Sequence, residues 1–315
     1  MMISLFFVFI IIKMIMMKLL DWIDYDKINW SYLSENPNAI SLLEANPNKI
    51  NWDYLSYNPN PNAIHLLEAN KTKINWYLLS ENSNPNGIAL LEENQDNINW
   101  YYLSGNPGAF ELLKANQDKI NWFKLSENPN AIELLKANKN KIKWHLLSKN
   151  SNASSLLEEN PDKIDWFYLS CNNSSYAISL LENNQDKIKW SLLSLNQNPK
   201  AIEILKANLD KIDWYYLSQN PNAIELLEAN QDKINWDTLS LNQNAISLLK
   251  ANKDKINWDM LMSNPSIFTY DYEAMKKTKE DLNEEVIAKA LHPKRIFRLI
   301  SDYGEEEIYN IYFDE

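Results

Sequence analysis

The chain has 315 residues, 45% of them hydrophobic and 23% charged, which suffices for a folded body. Four glycines disfavour loop-rich β architecture, and a formal net charge of −11 opposes binding to nucleic acid or to anionic lipid. One cysteine, Cys171, excludes a disulfide framework and a thiolate metal cluster.

The N-terminal stretch is apolar from Ile3 to Ile12 except at Ser4; Lys13, Met14 to Met17 and Lys18 follow. It is short for a membrane span of about 20 residues. It has no positively charged leader region and no small-residue cleavage site. Three readings stand open. Residues 3–17 tether the chain to a membrane as a signal-anchor; or they form an apolar helix covering the first repeat; or the natural start is Met17. Leu19-Leu20 through Trp30 already imitates the second half of a repeat, with one extra residue. Residues 1–29 therefore read as an apolar helix plus a partial capping repeat.

Residues 30–265 are a tandem array. Trp30, Trp52, Trp76, Trp100, Trp122, Trp144, Trp166, Trp190, Trp214, Trp236 and Trp258 recur at spacings of 22 or 24. Each longer copy has its extra pair at one place, as at Asn58 to Pro61, which predicts a surface loop on one side of the stack. Ile stands two before each Trp, Leu three after it and Asn six after it, in all eleven copies. In the copy around Trp122, Asn121 is placed to cap a short helix, with Ile120 and Leu125 as a hydrophobic staple. That helix must stop near Asn128, because Pro129 disfavours helical geometry before it. Ala131 to Ala137 gives a second amphipathic helix, capped by Asn130 with Glu133 reaching back. Asn138 ends it in left-handed geometry, and Gln117-Asp118-Lys119 is a typical connecting turn.

Helices this short are marginal alone, so neighbours must bury their faces. The expected fold is all-α: an α-solenoid of helix–turn–helix repeats whose tryptophans and Leu-Leu pairs form a buried seam. Eleven layers about 8–10 Å apart make a rod or superhelix on the order of 100 Å long. A leucine-rich solenoid is the alternative, but Ala-Ile-Glu-Leu-Leu-Lys-Ala is strongly helix-forming and no alternating strand appears.

The run NPNAIELLEANQDKINWDTLS, residues 220–240, resembles the Asn-, Trp- and Leu-rich tandem-repeat proteins of large DNA viruses of protists. The likeness spans most of the chain. It implies a viral origin, an interaction role with host or viral proteins, and a place in the host cytoplasm or the virion; it implies no chemistry. Residues 266–315 resemble the tail of such proteins and read as a helical cap, with helices near 272–278, 284–291 and 296–301. The last fifteen residues hold six acidic side chains and no basic one.

No catalytic, metal or cofactor site is expected. His65, His145 and His292 lack metal-ligand spacing, and no glycine loop could cradle a phosphate. Cys171 sits where the longer copies have their insertion, with no histidine placed to activate it. What varies on the fixed frame is the residue after each Trp, and Tyr77, Tyr101, Phe123, His145, Phe167 and Tyr215 make it aromatic in the middle copies. These six are the candidate protein-binding residues, because aromatic side chains are enriched at interaction hot spots. The competing reading is that they half-bury between layers. Variation at one residue per repeat is also found in RNA readers, but those need a basic groove. A non-catalytic interaction scaffold is the function expected; a membrane-tethered structural or virion-associated protein is the alternative.

Overall fold

The computed structural model describes residues 17–277 and residue 298. Two units divide the chain: residues 19–268, and residues 1–18 with 269–315. The apolar segment 3–16, the helices expected beyond 278 and the acidic tail lie outside the described residues. Residues 272–277 are helical, as the sequence suggested. Among the described residues no helix is long and apolar enough to cross a membrane.

Residues 19–268 are an α-helical repeat body. Each repeat, counted from its tryptophan, has a first helix, a second helix and a one-turn 3₁₀ segment. In repeat five these are Trp122–Glu127, Ile132–Ala137 and Lys139–Lys141. The first helix starts where a side chain can accept from free backbone N–H groups. Asn or Asp does so at nine of the eleven starts, from Asn29 to Asn257; Lys143 and Lys189 make no such bond. It stops at Asn128, which is extended at φ −72°, ψ 114° before Pro129.

Three details of the second helix differ from expectation. Asn130 is not its cap: the N-cap is Ala131, without a side-chain bond, and Asn130 Nδ2 instead donates to Pro107 O of the preceding repeat at 2.8 Å. The cause is Asn128, whose Oδ1 takes the Asn130 N–H at 3.0 Å and turns that residue toward the layer below. Asn138 is not left-handed, with φ −131° and ψ 49°; its Nδ2 closes the helix by donating to Leu134 O at 2.9 Å. The two extra residues of the longer repeats form no loop. They lengthen the second helix at its start, as in Pro61–Glu68 and Pro85–Glu93, with proline in the first turn and Asn60 or Asn84 as a true cap.

The core lies between the two helix layers. The Leu three after each Trp, from Leu33 to Leu261, is fully buried, as are the second leucine of each pair, such as Leu135, and most of the small residues opening the second helix, such as Ala131. Each leucine contributes roughly 1.5–3 kcal/mol. The tryptophans are not part of this seam. All eleven are half-buried, because Leu and Ala fill the interior and leave the indole at its edge. The indole is covered from outside by the 3₁₀ segment that closes its own repeat. In eight of the eleven, the Lys three before the following Trp places Nζ 4.3–4.7 Å from the ring, as Lys141 does over Trp122 at 4.4 Å. At Trp76 the corresponding residue is Asn97, which carries no cation.

The layers are joined by buried polar side chains. Asn128 Nδ2 donates to Ser104 O at 3.1 Å and Asn106 O at 2.9 Å, one repeat down. Every Asn six after a Trp does the same, from Asn36 to Asn264, and each accepts a backbone N–H with its Oδ1. The Ser four after each of the first ten tryptophans donates to its own Trp carbonyl and accepts the N–H that opens the next repeat, as Ser104 Oγ does from Asn121 N at 2.9 Å. A buried amide without partners is costly, and here all its groups are paired. Among the described residues no buried side-chain polar atom lacks a partner.

The stack is not an open rod. Asn36 of repeat one donates to Met262 O at 2.8 Å and Asn264 O at 3.0 Å of repeat eleven, the bonds any repeat makes to its predecessor. Asn38 donates to Pro265 O, and Lys27 lies 4.7 Å from the Trp258 ring, again in register. The array is a closed ring, and the length expected of the rod is its circumference. Uniform layers rotate by a constant step, and eleven steps complete the turn. The eleventh repeat is composite: its first helix is Trp258–Met262, and the segment before Trp30 supplies its second half. Strands β1 (Met17–Leu19) and β2 (Phe268–Tyr270) pair where other repeats have a second helix. Leu20 N–H donates to Ile267 O at 2.9 Å, and the Trp22 ring lies 6.4 Å from that of Trp258.

Candidate functional site

A ring is most crowded on its inside. First helices of successive repeats pack on one another at most junctions, while second helices approach closely only where they are lengthened, as Pro61–Glu68 against Pro85–Glu93. The first helices therefore line the inner side. Opposite the buried Leu on such a helix are the residues one and five after the Trp. The inner face is thus the variable face of the repeat.

The six candidate residues lie there, one per repeat. Tyr77, Tyr101, Phe123, Phe167 and Tyr215 are 41–50% exposed, and His145 is half-buried. They do not merge into one wall. The hydroxyls of Tyr77 and Tyr102 share a hydrogen bond at 3.0 Å, and Tyr102 stands edge-on to Tyr101 at 5.1 Å between centroids. Phe123, His145, Tyr168 and Phe167 follow one another at centroid distances of 5.9, 5.8 and 5.2 Å. Tyr215 contacts Tyr216 in a separate pair. The neighbour two after the Trp thus completes each cluster. The half-burial expected of the stripe holds for His145; the other five present much of their rings to solvent.

The other repeats carry carboxylate or hydroxyl side chains at this position, Ser191 in repeat eight among them. The same position holds Asp237, Asp259, Ser31 and Asp53 in repeats ten, eleven, one and two, and closure makes the two chain ends one continuous arc. In that arc the cap asparagine of the next repeat donates to the variable side chain: Asn257 to Asp237 at 3.0 Å, Asn29 to Asp259 at 2.8 Å, Asn51 to Ser31 at 3.1 Å and Asn75 to Asp53 at 2.8 Å. Aromatic contacts join layers in one arc; in the other the side-chain amide bonds do so, with Tyr32 against Tyr54 at 5.8 Å between ring centroids.

Several groups on this face are shifted by their surroundings, Tyr102 and Cys171 among them. The hydrogen bond shared with Tyr77, in which Tyr102 keeps its proton, pushes the Tyr102 phenol up to about 12, with burial and the Glu81 carboxylate adding to it. Burial pushes the Cys171 thiol up, and Cys171 Sγ donates to Tyr168 O at 3.2 Å. Its environment favours thiol over thiolate. Cys171 lies in the turn after the first helix Trp166–Leu169 and is not part of the lengthened second helix Ser175–Glu182.

Sequence reasoning missed the Lys-on-Trp ladder, the role of the recurrent Ser and Asn, and the environment of Gly105. Recurrence marked the Asn, but not what it bonds. The chain matches no protein-family model, no curated protein and no solved structure.

Proposed function

We propose that the ring is a non-catalytic scaffold for protein–protein interaction, with the aromatic arc of its inner face as the contact surface. The observation that carries this is the set of five rings, 41–50% exposed, at one position of a frame whose other recurrent positions are fixed by packing. Exposed aromatic side chains held on rigid elements are what an interaction surface needs, because little side-chain freedom is lost on binding. A net charge of −11 argues for a protein partner over a nucleic acid. A host or viral partner is what the likeness of the repeat to viral arrays adds to the proposal.

Affinity capture tests it. The chain and a variant with Tyr77, Tyr101, Phe123, Phe167 and Tyr215 changed to Ser are immobilised after circular dichroism has shown both folded. The expected result is a bound protein present with the parent and lost with the variant. The same catch on both surfaces, or chaperones alone, contradicts the proposal.

A further inference from the structure

Three glycines lie among the described residues, and two have a packing reason. A Cβ on Gly108 would stand 2.7 Å from Ser83 O, and one on Gly87 would press Ile64 and Leu79 at 3.4 Å. Gly105 has none. The three atoms nearest its Cβ would all belong to Lys124, at 3.6–3.8 Å, an ordinary contact, and its φ is not in the left-handed region. It ends the helix Trp100–Gly105, at the inner-face position where the other ten repeats carry side chains. Glycine destabilises a helix relative to alanine, so the fold alone gives no cause for it there.

Beside it lies a cavity of about 290 Å³, lined by Tyr57, Glu81, Tyr102, Lys124 and Glu127 of the first helices and their ends and by the turns that follow. Glu127 is already engaged, with Lys124 at 3.8 Å and Lys149 at 3.6 Å. Glu81 has no ion-pair partner among the described residues and is exposed. The aromatic wall already holds one cation, since Lys124 Nζ lies 5.4 Å from the Tyr101 ring and 6.0 Å from that of Tyr102. Negative potential reaches the other wall: after burial, the carboxylates of Glu81 and Glu35 raise the Tyr57 phenol. An unpaired carboxylate lining the same cavity as two tyrosines, in a space of side-chain size, is complementary to an organic cation.

We propose that the cavity at Gly105 binds a basic side chain, an arginine guanidinium or lysine ammonium, of the protein partner. This rests on the interaction reading and gives its partner a chemistry: a basic segment crossing the inner face, one cation seated in the cavity with Tyr57, Tyr102 and Glu81. The acidic side chains elsewhere on that face, among them Asp53, Asp237 and Asp259, suit the same segment.

The test is fluorescence anisotropy of the full chain with a short fluorescein-labelled oligo-arginine peptide, and with its citrulline counterpart, which keeps shape and loses charge. The citrulline peptide is expected to bind at least about tenfold more weakly, the scale of one charge-assisted hydrogen bond. Glu81→Gln should weaken arginine-peptide binding by about the same factor, and Gly105→Leu, which fills the cavity, by at least as much. Glu133→Gln, on the outer helix, should leave it unchanged. Gly105→Leu should melt no lower than the parent; if it does melt lower, Glu81→Gln alone decides. The inference is overturned by no binding to the parent chain, by equal weakening in Glu133→Gln, or by full binding in Glu81→Gln or a folded Gly105→Leu. Failure here with success in the capture experiment leaves the scaffold and removes the basic partner.

Discussion

The seam between repeats four and five and the seam between eleven and one are built from the same bonds under different constraints. Asn128 and Asn36 each donate twice to the layer below. At the interior seam the layers are chain neighbours, whereas at the closure the partners are 226 and 228 residues apart. One bond is missing there. Asn121 N donates to Ser104 Oγ, but the residue facing Asn29 is Met262, which has no hydroxyl. Contacts found nowhere else stand beside it: Trp22 on Trp258, Lys253 5.8 Å from the Trp22 ring, and the β1–β2 pair. The closure keeps the repeat's geometry and is reinforced from outside the repeat.

The largest effects should come from the asparagines. Asn128→Ala and Asn36→Ala each strip partners from two carbonyls and one N–H, and each should cost roughly 2–4 kcal/mol, read from denaturant melts. The pair differs in where the damage spreads. Asn36→Ala should speed amide exchange across residues 20–29 and 262–267, because no covalent link holds that seam. Asn128→Ala should do so only around repeats four and five. Identical exchange maps would show the closure to be no weaker than the interior.

The tryptophans come next. Trp122 is half-buried, so Trp122→Ala should cost less than the roughly 3–5 kcal/mol of a fully buried aromatic. Trp258→Ala should cost more than Trp122→Ala, since Trp258 carries both Lys27 and Trp22. Equal losses in melts of the two variants would remove Trp22 from the account of closure.

These expectations separate what the sequence displays from what it hides. The helices, their nine side-chain caps and the leucine core follow from local pattern, because Asn before Trp and Pro after Asn act within a few residues. The indole's place does not follow, because it depends on a lysine that the turn ending the repeat brings back over the ring. Ring closure was half visible: residues 19–30 imitate a half-repeat, and residues 258–267 begin one. Nothing local says that the halves belong together, since the step angle that brings them round is a property of packed layers. The aromatic stripe was legible as variation on a constant frame. The Gly105 cavity was not, because a glycine shows its reason only once its Cβ can be placed among neighbours.

A smaller effect is expected at the serines. Ser126→Ala removes the acceptor of the Lys143 N–H and should cost about 1 kcal/mol by thermal melt. Met262→Ala should show no such hydrogen-bond loss, only the loss of packing around a buried side chain.

The smallest concerns pH. The Tyr102 phenol lies near 12 in the folded ring against an ordinary 10.0, so both states keep the proton below pH 10. Between about 10 and 12 the unfolded chain gives it up first, and stability falls as pH rises through that window. Tyr77→Phe removes the leading cause. Ultraviolet titration should then show Tyr102 ionising nearer its ordinary value, and an unchanged curve would assign the shift elsewhere.

Closure itself is measured most directly by pulsed electron–electron resonance between spin labels. With Cys171→Ser as background, labels at Asp26 and Asp254 occupy the same position, four before a Trp, in the turns that end repeats eleven and ten. Labels at Asp210 and Asp232 occupy it in two adjacent interior repeats. A closed ring predicts the same short distance for both pairs. A long distance for the first pair, approaching the roughly 100 Å of an open stack of eleven layers, would contradict it.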